Sequence, residues 1–265
     1  MPILGRIRSI PTTRKVGVAY DPDALAAFTA VEAAGGSLTG VQKAAVNTAV
    51  LALKAASLWT PLVAWYPIVG GSAAAHSINF KNPGTYNITW VNSPTHDSGG
   101  VLSNGTTSYG DTGLTTTAMS AAGAFGVCCR EAGTPANSTM LGMVDTVNGS
   151  RRIYFAPTTT ISKYGVLSTT AAGRIAAMYA SCRVSSTSHF TLVNGTASSE
   201  NTNPDPYFSS VYTLFICALN NNGTASNWLA KKLTQAWAAP SFSTANVGSL
   251  YTILNAMETT LGRNV

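Results

Sequence analysis

Hydrophobic positions follow a helical period in the first part of the chain. Asp21 is a residue type that caps helix N-termini, and Pro22 suits the first helical position. The segment DALAAFTAVEAA then leads to Gly35 and Gly36, and glycine is the residue that most often ends a helix. The pattern therefore predicts a helix from Pro22 to the residues just before Gly35.

A second helix is predicted over VQKAAVNTAVLALKAAS, with a start at Ser37 or Thr39. Its apolar positions repeat at helical spacing, namely Val41, Ala45, Ala49, Leu53 and Ala56. Pro61 and Pro67 then end regular helix. The aromatic residues around these prolines indicate a packing surface against a larger domain, with a ligand platform as the alternative: Trp59, Trp65 and Tyr66.

After about residue 80 the chain consists of short runs rich in β-branched and aromatic residues, such as YNITWV, RRIYFA and VYTLFICAL. Asn-Gly pairs recur between these runs, and this pair is typical of two-residue hairpin turns. The pairs are Asn104-Gly105, Asn148-Gly149, Asn194-Gly195 and Asn222-Gly223. Many short strands joined by such turns predict an antiparallel β-sandwich.

Helical spacing returns near the end of the chain, at Val247, Leu250, Leu254, Met257 and Leu261. The sequence therefore predicts a mainly β fold, in which a small helical unit precedes the sandwich and a C-terminal helix closes it. We expect three segments: a basic arm over residues 1–20, a helical anchoring unit over 21–75, and a sandwich domain with its C-terminal helix over 76–265.

Charge is sparse and uneven along the chain. Charged residues make up 10% of it and the formal net charge is +6, against a charged share of about 25% in average soluble proteins. Basic residues precede the first acid, and we interpret them as anchoring residues that dock on a partner protein: Arg6, Arg8, Arg14 and Lys15. The rest of the chain has no basic stripe, so nucleic acid is not expected as a partner. It also has no run of roughly 20 apolar residues that could span a bilayer and no signal-peptide pattern, so a membrane is not expected as a partner either.

The four cysteines are Cys128, Cys129, Cys182 and Cys217, and their spacing matches no zinc pattern. Neighbouring strand residues point to opposite faces, so Cys128 and Cys129 cannot hold one ion together. We expect free buried thiols, with a disulfide between Cys182 and Cys217 as the alternative.

Groups that could perform catalysis are scarce. The histidines are His76, His96 and His189, and the chain has no Gly-x-Ser-x-Gly motif to supply a nucleophile. An exposed loop position is the expectation for His96. The loop carboxylates do not form an obvious glycosidase pair: Glu131, Asp145, Glu200 and Asp205. The sequence therefore predicts that the chain is not an enzyme, with a polysaccharide-degrading enzyme as a minor alternative.

The order of several segments resembles a group of tailed-bacteriophage virion proteins, associated with the tail or fibre. The residues that carry the resemblance are ALKAASLWTPLVAWYPI, AAAHSINFKNP, SNGTTSYGDTG, NNNGTASN and TTLGR. The resemblance runs from about residue 40 onward and implies a concanavalin-like or laminin-G-like jelly roll. It also implies that Tyr109 lies inside the sandwich while Asp111 and Thr112 cap the following turn.

Asp111 has two interpretations. An Asp at a strand end usually forms an Asx-turn, whereas a calcium ion shared with Asp97 would use its carboxylate as a ligand. The sequence shows no third carboxylate for such a site. We therefore expect no cofactor, with calcium as a weaker alternative.

Ligand binding is assigned to the loop NTNPDPYF, residues 201–208, whose two prolines limit the entropy lost on binding. Its candidate residues are Asn203, Asp205 and Tyr207, with Tyr207 stacking on a sugar or, alternatively, packing inward.

Together with the resemblance, this predicts a homo-oligomeric virion protein, assembled in the host cytoplasm, that contributes to attachment to host-surface glycan. It would contact other virion proteins through its arm and helices. The alternative is a purely architectural head or tail decoration protein.

Overall fold

The structure is a computed structural model that describes residues 19–120, 122–133, 137–147, 149–156, 159–165, 167–172, 174–204 and 209–264. In these residues the chain is mainly β, and its strands form two antiparallel sheets that pack face to face, with few helices and one at the C-terminus. The predicted fold class, a jelly-roll sandwich with a leading helical segment and a closing helix, is confirmed.

Helices α1 and α2 begin where the sequence predicts, and α3 is a short helix that the sequence does not predict. They are α1 (Pro22–Ala33), α2 (Gly40–Ala55), α3 (Ala73–His76) and α4 (Thr244–Thr260). The Asp21 side chain accepts a hydrogen bond from the backbone N–H of Asp23, and Thr39 forms a reciprocal capping box with Gln42. Ser243 and Asn246 form the same arrangement at the start of α4. None of the described helices is long and apolar enough to cross a lipid bilayer.

The strands are β1 (Ala64–Tyr66), β2 (Thr89–Val91), β3 (Thr95–Asp97), β4 (Gly100–Leu102), β5 (Tyr109–Thr115), β6 (Gly123–Cys129), β7 (Thr139–Asp145), β8 (Gly149–Phe155), β9 (Thr159–Gly165), β10 (Leu167–Ala172), β11 (Ala177–Ser185), β12 (Ser188–Val193), β13 (Thr196–Asn201), β14 (Thr213–Ile216), β15 (Leu219–Asn221), β16 (Thr224–Ser226) and β17 (Lys232–Ala239).

One sheet is covered by helices and the other is not. The helix-covered sheet has the order β13-β12-β11-β6-β17-β4-β3, with β1 also paired to β17. The exposed sheet has the order β10-β9-β8-β7-β14-β5-β2, with β15 paired to β7 and to β16. Helices α1, α2 and α4 pack on the outer face of the helix-covered sheet, so the described part of the chain forms three layers.

Two hydrophobic cores hold these layers together. The core between the sheets includes Phe125, Val127, Met143, Ile153 and Tyr179. The core between the helices and the helix-covered sheet includes Phe28, Val50, Trp65, Trp237 and Leu254. Gly126 allows Trp237 to lie flat on the sheet, because a Cβ atom at this position would come within 2.6 Å of the indole Cε2.

The predicted helical unit shares its packing with the sandwich. Its segment 64–66 is strand β1, in which Trp65 pairs with Trp237 of β17. Trp59 and Trp65 are buried and meet edge to face at 6.1 Å. These aromatic residues therefore pack into the protein and do not form a ligand platform. The division into units at residue 75 stays a prediction, but residues on both sides of it belong to one core.

Two of the predicted Asn-Gly hairpins are present. Asn194-Gly195 joins β12 to β13 and Asn222-Gly223 joins β15 to β16, and both residues of each pair have positive φ, as a type I′ turn requires. Asn148 lies outside the described residues.

The remaining pair, Asn104-Gly105, is not a hairpin but a corner that carries the chain from β4 in one sheet to β5 in the other. The Asn104 Oδ1 atom accepts backbone hydrogen bonds from Thr106, Thr107 and Ser108, at 3.0, 2.9 and 3.0 Å. The side chain therefore stabilises the loop itself, as in an Asx-turn.

All four cysteines are free and buried. Cys182 lies in the core beside the helices and Cys217 in the core between the sheets, so the alternative disulfide is not formed. Burial raises the pKa of the Cys128, Cys129 and Cys182 thiols to about 12. Thiols in this environment stay protonated and behave as small hydrophobic side chains.

Candidate functional site

The predicted ligand loop is only partly described. Asn203 is exposed and its backbone N–H donates to Asn201 Oδ1 at 3.0 Å. Asp205 and Tyr207 lie outside the described residues, and the chain is described again from Ser209. The predicted anchoring residues also lie outside the described residues: Arg6, Arg8, Arg14 and Lys15.

A cleft with a volume of about 490 Å³ begins where this loop ends. It is formed by the segment before β14, the β7–β8 connection and the β15–β16 turn. Its described lining is Asp145, Thr146, Val147, Ser209, Ser210, Val211, Tyr212 and Asn222. We call it the loop-end cleft. Ser209 and Ser210 of this lining directly follow the predicted loop 201–208 in the chain.

The cleft combines apolar side chains with fixed polar groups. Val147 and Val211 are 88% and 83% exposed, which is unusual for valine in a folded protein. The Tyr212 ring lies against the β15–β16 turn, since a Cβ atom on Gly223 would be 3.5 Å from the ring.

The polar side of the cleft is held by turns of the exposed sheet. Asn222 Oδ1 accepts from the Thr146 N–H at 3.0 Å, and Asn222 Nδ2 donates to Thr146 Oγ1 at 3.1 Å. Asp145 Oδ1 accepts from the Val147 N–H at 3.0 Å. Exposed apolar surface beside ordered amide and hydroxyl groups suits a ligand that has both C–H faces and hydroxyls.

The outer face of the exposed sheet carries aromatic residues. Leu214 and Ile216 point into the core between the sheets, whereas Phe215 points outward. Tyr109 stacks on Phe215 with ring centroids 4.5 Å apart and an interplanar angle of 27°. The expectation that Tyr109 lies inside the sandwich is therefore wrong, because the inward positions of β5 are Gly110, Thr112 and Leu114.

Asp97 and Asp111 do not meet as a calcium pair. Asp111 lies in the exposed sheet and accepts from the Gly113 N–H at 2.9 Å, which is the expected Asx-turn. Asp97 lies in the helix-covered sheet and pairs with Lys232 at 2.6 Å. The hydrogen bond from Lys232 lowers the pKa of the Asp97 carboxyl. Within the described residues, no three His, Cys, Asp or Glu side chains are grouped as metal ligands.

The histidines form contacts that the sequence does not reveal. His76 Nδ1 and His96 Nδ1 are 2.9 Å apart, and the Gly71 N–H donates to His76 Nε2 at 3.1 Å. The expectation of an exposed loop His96 is wrong: it is half-buried against Trp90, with ring centroids 4.8 Å apart.

His189 and Ser181 form a second contact, with 2.9 Å between His189 Nε2 and Ser181 Oγ. A serine–histidine contact is the kind of pair that activates nucleophiles. Here both residues are buried between the sheets, at 1% and 0% exposure, where a substrate has no access. The pairing follows from adjacent positions on β11 and β12, which the sequence alone could not align.

The sequence matches no protein-family model and no curated protein sequence. Solved structures with a similar fold include a Trypanosoma rangeli sialidase mutant that displays trans-sialidase activity, at 10% identity and a TM-score of 0.58, covering 88% of this chain and 38% of that one. Another T. rangeli sialidase, in complex with 2,3-difluoro-KDN, has 10% identity and a TM-score of 0.52, with 72% and 32% covered. The binding domain of botulinum neurotoxin serotype D has 9% identity and a TM-score of 0.52, with 74% and 52% covered.

These similarities contradict the prediction that the chain is not an enzyme, because the fold occurs within chains named as sialidases. This chain spans less than two fifths of the sialidase chains and about half of the toxin domain. At such low identity the similarity shows the fold alone. The chain is thus similar in fold to parts of sialidases and to a toxin binding domain, and its function has to be argued from its own residues.

Proposed function

We propose that this chain binds glycan at the loop-end cleft and that it serves host-surface attachment as a tail- or fibre-associated protein of a phage virion. The observation that carries the binding proposal is the cleft itself, which places two highly exposed valines beside ordered Asn222 and Thr146 groups. The virion assignment is supported by the sequence resemblance described above. The fold similarity to sialidases and to a toxin binding domain is compatible with a glycan ligand.

The chemistry of the cleft fits a sugar ring. One face of a pyranose presents C–H groups that pack on Val147, Val211 and Tyr212, while its hydroxyls exchange hydrogen bonds with amide and hydroxyl groups. We also assign ligand contacts to the predicted loop 201–208, whose two prolines limit the entropy lost on binding. Affinity at one such shallow site is weak, and many linked copies on a particle would raise it.

Attachment to the particle is assigned to the N-terminal segment. We propose that the basic arm and the helical unit contact other virion proteins, that the protein is homo-oligomeric, and that it is found in the virion after assembly in the host cytoplasm. The helical layer supports this role because it exposes large apolar side chains, Leu25, Val41 and Leu51, at 51%, 60% and 50% exposure. The same observation favours the second candidate function, a purely architectural virion protein.

Binding to immobilised host polysaccharides tests the first role. Val211→Glu places a charge in the cleft at a residue that is 83% exposed, so the fold is retained. Val184→Glu is the matched control on strand β11, away from the cleft, at 43% exposure. We expect Val211→Glu to weaken binding at least tenfold and Val184→Glu to leave it unchanged. If the wild-type protein binds no host polysaccharide, the attachment role is wrong and the architectural role remains.

Incorporation into particles tests the anchoring role. Deleting residues 1–18 removes all four basic residues of the arm and keeps α1, whose Phe28 belongs to the core. We expect the shortened protein to fold, with an unchanged melting temperature, and to be absent from purified particles. Normal incorporation would show that the arm does not anchor the protein.

A further inference from the structure

Arg152 lies on the outer face of the exposed sheet, away from the loop-end cleft. Its neighbours on β8, Ile153 and Arg151, point inward, and Ile153 is part of the core between the sheets. Arg152 pairs across strands with Gly142 on one side and with Lys163 on the other. Direct cross-strand partners share a face of the sheet, so Lys163 lies on the same side as Arg152.

The guanidinium is fixed in place by neutral groups. Arg152 Nε donates to Thr139 Oγ1 at 2.7 Å, and Nη2 donates to the Asn137 backbone carbonyl at 3.0 Å. The guanidinium carbon lies 3.9 Å from the centroid of the Tyr154 ring. Gly142 leaves the room for this flat position, because a Cβ atom there would come within 3.0 Å of Arg152 Cγ.

No acid in the described part of the chain neutralises the charge of Arg152. Within those residues the guanidinium donates hydrogen bonds to Thr139 and Asn137 alone, and Arg152 forms no ion pair. The outward carboxylate of the same cross-strand row is Asp111, and its strand β5 is separated from β8 by β7 and β14. Three strand spacings place Asp111 about 14 Å away, which exceeds the screening length of about 8 Å at physiological salt.

An arginine held in this way retains binding capacity. A guanidinium has five N–H donors, and the two hydrogen bonds above leave both Nη1 donors and one Nη2 donor for a ligand. These donors form the planar fork that matches a carboxylate in two parallel hydrogen bonds. Burial lowers the pKa of Arg152 to about 10, so the group stays charged at neutral pH and gains from an anionic partner.

We propose that Arg152, with Lys163 beside it, is a second binding site that takes the carboxylate of an acidic sugar unit, so that the ligand is an acidic polysaccharide. The choice of a sugar as the carrier of the carboxylate rests on the proposed function. The site is separate from the loop-end cleft. The backbone of Arg152 lies opposite Gly142, about 10 Å along β7 from Asp145 at roughly 3.4 Å per residue. Its guanidinium extends the other way, to Thr139 at the far end of β7. The Tyr154 ring under the guanidinium holds it in this position.

A matched pair of polymers tests the proposal on the full chain: polygalacturonate and the same polymer after reduction of its carboxyl groups. We expect wild-type protein to prefer the acidic polymer at least tenfold and Arg152→Gln to lose that preference. Arg152→Lys keeps the charge without the fork, and most of the preference should be lost as well. Lys43→Gln removes one positive charge from the helical layer, where Lys43 pairs with Glu32 at 2.7 Å, and should change nothing.

Side-chain NMR of the wild-type protein keeps the test decisive if Arg152 variants fail to fold. Galacturonate should shift the Arg152 Nε–H resonance and galactose should not. Equal binding of both polymers, or unequal binding with an unshifted Arg152 resonance, would overturn this site and leave the proposed function in place. If neither polymer binds, the proposed function fails for these ligands, and the galacturonate titration alone decides whether Arg152 is a carboxylate site.

Discussion

The buried histidines predict that this protein loses stability in mild acid. Burial, followed by the nearby His96 and Arg263 and opposed by Asp97, lowers the pKa of His76 from 6.5 to about 3. Burial, followed by the charges of Arg183 and Arg151, lowers the pKa of His189 from 6.5 to about 3 as well.

The direction of the stability change follows from proton binding in the folded and unfolded states. Below pH 6.5 the unfolded chain binds protons at these histidines while the folded chain does not, so stability is complete above this pH and falls as the pH decreases towards 3. One pKa unit corresponds to about 1.4 kcal/mol. Between pH 7 and pH 5 each of the two histidines therefore costs about 2 kcal/mol, and together they cost about 4 kcal/mol.

Thermal unfolding at a series of pH values measures this effect. A loss of about 4 kcal/mol lowers the melting temperature by roughly 8 to 16 °C for a domain of this size. His96, whose pKa burial also lowers from 6.5, adds to the loss in this pH range, and Glu258, whose pKa burial raises from 4.5, opposes it. The carboxylates Asp21 and Asp97, whose pKa values are lowered from 3.8, act only at lower pH. The double variant His76→Gln/His189→Gln should lose the part of the pH dependence that these two histidines contribute. A wild-type melting temperature that stays constant from pH 7 to pH 5 would show that the two histidines are not held neutral by the fold.

Three further predictions concern the fold. Arg263 and Glu258 form a buried ion pair at 2.7 Å, so Arg263→Met should destabilise the protein by about 3 to 5 kcal/mol in urea unfolding, and adding Glu258→Leu should recover part of the loss. Phe28→Ala should cost about 3 to 5 kcal/mol if α1 belongs to the common core, and an unchanged unfolding midpoint would show that it does not. Asn104→Ala should cost about 1 to 3 kcal/mol and Asn104→Asp much less, because Asp keeps the acceptor oxygen; equal melting temperatures for the two variants would contradict this role.

The sequence predicts the elements that local rules determine. The capping residues Asp21 and Thr39 mark the starts of α1 and α2, and two Asn-Gly pairs, which adopt positive φ, mark two hairpins. By contrast, α3 has four residues and β1 has three, which is too short for the helical or the strand pattern of hydrophobic residues to be recognised. The face of Tyr109 was also beyond prediction, because Gly110 and Gly113 interrupt the alternation of β5, and a shift of one residue reverses every side chain.

The sequence likewise predicts one part of the candidate site and misses the part that tertiary structure brings together. Two prolines select the loop 201–208, of which the structure places Asn201 at the end of β13, and Ser209 directly after the loop lines a cleft. The opposite wall comes from Val147 and Asn222, which are distant in sequence and meet only because β15 pairs with β7. The contact of His76 with His96 likewise depends on tertiary structure, since it joins α3 to β3.

A crystal structure with a bound host oligosaccharide would show whether the loop-end cleft is the glycan site. We expect sugar density in the loop-end cleft, in contact with Val147 and Val211 and within hydrogen-bond distance of polar groups of the cleft lining. Density only on the helical layer, or a cleft left empty at saturating ligand, would contradict it.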